Sequence, residues 1–255
     1  MTRARLRSLL FLLLGVSAAL LAGAAAAVTP ALPRITIGAG PASGPQEVST
    51  ALQVLALLTV LSLAPAILLL MTPFTRIVIV FSFLRQALGT QSIPPNQVLV
   101  GLALFLTFFI MRPVGEEIHA KALRPYLAGN LGWEAAVDRA AAPVRKFLFA
   151  QTQERDLALF VSLSKSPRPR NRDEVPFLVL VPSFVISELR TAFTMGFLLF
   201  IPFLVIDMVV ASTLMAMGML MLPPITISLP FKVLLFVLVD GWHLIVRSLA
   251  ENFRT

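Results

Sequence analysis

The sequence predicts an all-α integral membrane protein. Three observations carry that expectation. Apolar residues make up 57% of the 255 positions and charged residues only 13%, mean hydropathy is +0.87, and several apolar runs approach or exceed the length that crosses ~30 Å of hydrocarbon. There are no cysteines, so disulfides, thiolate nucleophiles and cysteine-based zinc sites are excluded. The net charge of +8 falls on scattered residues with no basic-aromatic face for nucleic acid, and reads as loop charge around membrane segments.

Taken in order, residues 1–27 have the three parts of a cleavable signal peptide. Arg3, Arg5 and Arg7 precede an apolar stretch from Leu9 to Leu21, followed by small residues up to Ala27. Residues 28–49 are rich in Pro, Gly, Ala and Ser and read as a flexible exported segment. Residues 50–111 form a first helical hairpin region. Thr50–Met71 is long enough to span, with Pro65 expected to kink it. Ile77–Leu84 is only eight residues, bounded by Arg76 and Arg85; it is either a loop on the cytoplasmic side or a half-helix shielded by protein. Gln97–Met111 is short for a span and is expected to close at Arg112-Pro113.

Residues 112–176 are the hydrophilic part, with 11 Lys/Arg and 8 Asp/Glu. Ala142–Ser164 reads as helical, with Val144, Phe147 and Leu148 at one end and Leu157, Phe160 and Val161 at the other. Counting basic residues puts this portion in the cytoplasm. A cleaved leader followed by two crossings puts it outside, in the periplasm, and the leader is the stronger signal because the charge rule weakens for loops beyond ~60 residues.

Residues 177–255 are almost wholly apolar. Thr191–Leu222, as one helix, would far exceed a bilayer core. It either divides at Pro202 or does not sit as part of a simple bundle. A final helix is expected over about Leu229–Leu249. The most unusual stretch is Met215-Ala216-Met217-Gly218-Met219-Leu220-Met221, followed by Leu222-Pro223-Pro224. On a helix, Met215 and Met219 share one face while Met217 and Met221 share another. Methionine is unbranched and polarizable, so such faces serve either ordinary membrane packing or a deformable apolar seal.

Charges in apolar segments need partners, since one at bilayer centre costs about 2.5–3.5 kcal/mol. A hairpin folded about residues 223–228 would offset Asp207 from Lys232 by ~12 Å or more along its axis, so any contact between them is expected across neighbouring subunits. Glu188 and Arg190 point to different sides of a helix and each needs a partner elsewhere, with Arg76 and Arg85 as mates for Glu188. The chain is not expected to be an enzyme, nor to hold a metal or cofactor. His119 and His243 sit in different segments outside any His-Glu-x-x-His pattern, and neither a phosphate-binding Gly-Lys-Ser/Thr loop nor a Gly-x-Ser-x-Gly elbow occurs. An autonomous ion-coupled transporter is the other class compatible with proline-broken apolar segments and Asp207, Lys232 and Asp240, though no internal repeat supports it.

Several strings carry a resemblance. They are Met71-Thr72-Pro73-Phe74-Thr75-Arg76, Thr90-Gln91-Ser92-Ile93-Pro94-Pro95-Asn96-Gln97, Asp156-Leu157-Ala158-Leu159-Phe160, and Pro182-Ser183-Phe184-Val185-Ile186-Ser187-Glu188-Leu189-Arg190-Thr191-Ala192-Phe193. Pro202 to Ser212, the methionine run, Ser228-Leu229-Pro230-Phe231-Lys232 and Asp240-Gly241-Trp242 continue it. Over roughly residues 48–250 the chain resembles the FliP family of flagellar type III export proteins, whose injectisome relatives are similar and commonly lack a leader. The resemblance implies several copies assembling with FliQ-like and FliR-like subunits, alongside other export-apparatus membrane proteins. Their product is a helical export gate, built largely of hairpins and raised from the plane of the bacterial inner membrane at the flagellar basal body. Unfolded flagellar subunits would pass through it, with Met215, Met217, Met219 and Met221 at the pore constriction.

Overall fold

A computed structural model describes residues 45–90, 93–164, 169–219 and 221–253. The expected signal peptide and most of the exported segment lie outside the described residues. The chain divides into two compact units, residues 1–54 and 55–255, and apart from residues 45–54 everything described below lies in the second.

The described residues are helical and contain no strand. In chain order the helices are α1 (Pro45–Met71), α2 (Phe74–Ala87), α3 (Asn96–Ile118), α4 (Arg124–Leu127), α5 (Trp133–Gln151), α6 (Glu154–Leu163), α7 (Phe177–Ala216), α8 (Pro224–Leu238) and α9 (Gly241–Asn252). A π-helical turn, His119–Leu123, joins α3 to α4. Two continuous stretches are long and apolar enough to cross a membrane, Asn96–Leu127 and Phe177–Ala216. Two bent pairs reach the same criterion together: Leu61–Met71 with Phe74–Ala87, bent by 63°, and α8 with α9, bent by 61°.

Several sequence expectations change here. Pro65 stays inside α1, and the sharp bend falls instead at Thr72-Pro73. Ile77–Leu84 is the shielded half-helix, because Ile77, Val80, Phe81 and Leu84 are all buried within α2. Arg112-Pro113 does not close α3, which runs on to Ile118. Pro202 does not divide α7, a helix of 40 residues and so about 60 Å long, twice the hydrocarbon thickness. An internal proline removes one hydrogen-bond rung and costs ~3 kcal/mol. The stripe Leu180, Phe184, Glu188, Ala192, Gly196 and Phe203 packs inward along α7, and that burial outweighs the lost rung. The expected last helix is two, broken at Val239-Asp240, where Asp240 adopts φ 49°. The helical stretch between Ala142 and Ser164 likewise breaks at Thr152-Gln153, both extended. Its two apolar ends still meet, as Phe147 and Leu148 join the buried cluster around Leu180 and Phe184 with Leu157, Phe160 and Val161 against it.

The centre of the unit is the pair α2 and α7. They run parallel, because Arg76 meets Glu188 while Phe83 meets Phe193, ring centroids 5.5 Å apart. Gly196 allows this approach: a Cβ there would lie 2.5 Å from the Phe83 ring. At the far end of α2, the chain turns at Gly89 (φ +74°), 3.7 Å from Ile225 and 3.8 Å from the Lys232 ammonium, measured from where its Cβ would sit. The α2–α3 connection and the start of α8 therefore share one end of the unit, and the α5–α6 layer the other.

Candidate functional site: a methionine turn and its charged supports

The methionine run is a turn, not a helix with two faces. α7 ends at Ala216 and Met217 caps it. The Gly218 N–H donates to the Met215 carbonyl and the Met219 N–H to the Leu214 carbonyl, both 3.0 Å, with Gly218 at φ +73°. This is the Schellman arrangement, in which a left-handed residue lets the chain fold back over the last carbonyls. Pro223-Pro224 does not end α7 but begins α8, with Pro224 in the first turn, where its missing N–H costs nothing. Gly218 was the available signal for the stop. Met215 and Met217 are 58% and 64% exposed and Met221 96%, while Met219 is half-buried. The turn thus projects soft, polarizable side chains from the tip of the α7–α8 hairpin.

The hairpin is fastened one level above that tip. Lys232 Nζ donates to Asp207 Oδ2 at 2.6 Å, and Ser228 Oγ to Asp207 Oδ1 at 2.6 Å. The Lys232 side chain is 3% exposed and that of Asp207 31%. The expectation that this contact would occur only between subunits is overturned, since the pair closes within one chain. The reason is the position of the turn. The midpoint of positions 207 and 232 falls between Met219 and Leu220, so a hairpin folded there brings the two level, whereas one folded at 223–228 does not.

A second charged knot lies further along α7. Arg76 and Glu188, 2% and 1% exposed, form a two-pronged pair, with Arg76 Nε to Glu188 Oε2 at 2.8 Å and Arg76 Nη2 to Glu188 Oε1. The remaining prongs reach Asn252 Oδ1 at 3.1 Å and Gln151 Oε1 at 3.4 Å, and the guanidinium carbon lies 3.9 Å over the Phe253 ring. One planar cation thereby ties α2, α5, α7 and the C-terminal end of α9. Only arginine has the donor fork for it.

Arg190 turns the other way and pairs with Asp156 Oδ1 at 2.7 Å. Ser187 donates to the other carboxylate oxygen at 2.8 Å and accepts the Gln153 N–H at 3.0 Å, pinning the α5–α6 elbow to α7. Asp156, 2% exposed, is the buried charge that charge spacing missed; it stood only among the residues of the resemblance. Arg85, proposed beside Arg76 as a mate for Glu188, is not brought to it. His119 and His243 stay apart on exposed helix positions, and no group of three or more His, Asp or Glu among the described residues is placed to hold a metal.

Comparison with known proteins places this arrangement. The model of the FliP family matches residues 57–249, which takes in the Arg76, Glu188 and Asp207–Lys232 supports and the whole methionine turn. The flagellar biosynthetic protein FliP of Bacillus subtilis is 57% identical over 211 residues, covering 83% of this chain and 96% of that protein. That of Pectobacterium carotovorum is 56% identical, covering 83% and 82%, and that of Caulobacter vibrioides 50% identical over 238 residues, covering 92% and 89%. With a family model across most of its length and relatives at this identity over most of theirs, this all-α chain with spanning-length apolar helices belongs to the FliP family.

Proposed function

We propose that the chain is a membrane component of the flagellar protein export apparatus. In this reading several copies assemble in the inner membrane, at the flagellar basal body, with FliQ-like and FliR-like subunits. Together they build the gate through which unfolded flagellar proteins leave the cytoplasm, and Met215, Met217, Met219 and Met221 form its seal. Residues 1–27 act as the cleaved leader, and residues 28–49 and 112–176 lie on the periplasmic side. Family membership supports the flagellar role, and the relatives' name is that of a flagellar biosynthetic protein.

The observation that carries the seal is the turn itself. Four methionines are concentrated where a capped helix folds back, three of them more than half exposed, and the hairpin behind them is fastened by a buried lysine. Thioether side chains repack around irregular shapes, so a ring of such turns can close on itself or yield to a passing chain. A 60 Å helix also fits an assembly standing out of the bilayer better than a flat bundle.

Replacing all four methionines by alanine tests the reading in cells. Assembly of the membrane complex, followed by native gel, is expected to persist, while passive ion leak through it rises. An intact complex with unchanged leak removes the seal. Loss of flagellar export with this chain deleted, restored by the native chain, tests the export role separately.

A further inference from the structure

Sulfur enters this chain only through methionine. There are nine methionines and no cysteine, so no thiol competes for an oxidant. The methionines of the described residues differ in their surroundings. Met71 and Met111 pack against the buried cluster around Phe184, and Met195 against the one around Phe81. Met208 is exposed, but it lies inside α7 among the exposed apolar side chains of Leu204, Val205 and Val209. Met215, Met217 and Met221 sit instead where α7 ends and the chain folds back, and they are at least 58% exposed. The turn between them is open: a Cβ built on Gly218 would meet nothing within 4 Å.

An accessible thioether reacts directly with a hydroperoxide. The sulfur lone pair attacks one peroxide oxygen, and the O–O bond breaks as the S–O bond forms. The departing hydroxide takes the proton left on the transferred oxygen and leaves as water. Sulfur is oxidised by two electrons and the peroxide is reduced by two, so no cofactor or second reactant is needed. The product is a polar, chiral sulfoxide where a flexible apolar side chain stood. Hydrogen peroxide is small and water-soluble, so it reaches sulfurs on an aqueous passage more readily than Met208 in an apolar belt.

We infer that the methionine turn is a redox-modification site, at which hydrogen peroxide converts Met215, Met217 and Met221 to sulfoxides and so opens the seal. The inference rests on the seal reading above. Thioethers close a gap because they are apolar and repack around irregular shapes. A sulfoxide oxygen accepts hydrogen bonds and is costly to bury without a donor, so it holds water in the contact. Met219, half-buried, reacts later than the other three. Methionine sulfoxide reductases return the sulfoxide to the thioether, which makes the opening reversible.

The test treats the assembled complex, in sealed membrane vesicles, with graded hydrogen peroxide. Peptide mass spectrometry locates the sulfoxides while ion leak is recorded in parallel. Sulfoxide is expected at Met215, Met217 and Met221 before Met71, Met111, Met195 and Met208. Leak should rise in step toward that of the four-alanine variant and fall again after both epimer-specific sulfoxide reductases act with a dithiol. In the four-alanine variant, peroxide should add no further leak. Sulfoxide that forms elsewhere first, or at the turn with unchanged leak, overturns the inference. So does a rise that the reductases do not reverse, or one equally large in the four-alanine variant. In each of these cases a four-alanine variant that leaks before treatment leaves the seal reading standing. An intact four-alanine complex with no extra leak overturns the seal, and the inference with it.

Discussion

Lys232 and Asp207 lie 25 positions apart in sequence and 2.6 Å apart in space, facing each other across a hairpin whose midpoint is the methionine turn. The two partners are unequally buried, at 3% and 31% exposed, and this asymmetry sets what each loss should cost. Asp207→Ala strands an ammonium with almost no access to water, and breaking a buried pair in that way costs about 3–5 kcal/mol. Lys232→Met leaves a carboxylate that reaches solvent and keeps its bond from Ser228, so the expected loss is smaller. Unfolding of the purified chain by graded denaturing detergent, followed by helical circular dichroism, should rank Asp207→Ala clearly below Lys232→Met. The reverse order would mean the lysine is better solvated than its environment here implies.

How much of this was legible beforehand depends on what kind of signal each feature leaves. The helical membrane class follows from apolar length. The sequence left Ile77–Leu84 open between a loop and a shielded half-helix and offered both Arg76 and Arg85 to Glu188; the structure selects the half-helix and Arg76. The hairpin register was not legible, and a single residue explains why. Taking Pro223-Pro224 as the helix stop shifts the turn several positions, and every cross-hairpin contact moves with it. Gly218 is the true stop, and the prolines open the next helix. The same bias, treating proline as an end, misplaced the end of α3 at Pro113 and left a break at Pro202 open. Asp156 was out of reach for another reason. Its partners Ser187 and Arg190 are 31 and 34 positions away, and no local pattern encodes the fold-back of α6 onto α7.

The Arg76 knot makes a sharper demand on chemistry. Glu188→Met or Arg76→Met leaves one buried charge uncompensated, with an expected loss of about 3–5 kcal/mol. Arg76→Lys should recover little, because an ammonium cannot serve Glu188, Asn252 and Gln151 through one planar fork. The double variant Arg76→Met with Glu188→Met should be more stable than either single methionine variant, since both charges leave together. The same detergent titration measures all four. A double variant as poor as the sum of the singles would show the two residues acting independently, against the geometry of the pair.

The methionine turn offers the closest link between backbone and proposed seal. Gly218 at φ +73° lies where an L-residue bearing a Cβ is strained by roughly 1–2 kcal/mol, although nothing lies within 4 Å to clash with that Cβ. The cost of Gly218→Ala is therefore purely conformational, and Gly218→Asn should cost less because asparagine tolerates the left-handed region. Stability should rank Gly, then Asn, then Ala. If the turn also positions the seal, ion leak through the assembled complex should rise in the opposite order, with all four methionines still present. Stability that falls while leak stays flat would confine Gly218 to folding. Equal stability of the Ala and Gly forms would mean that α7 continues through Gly218, and the turn described here would be wrong.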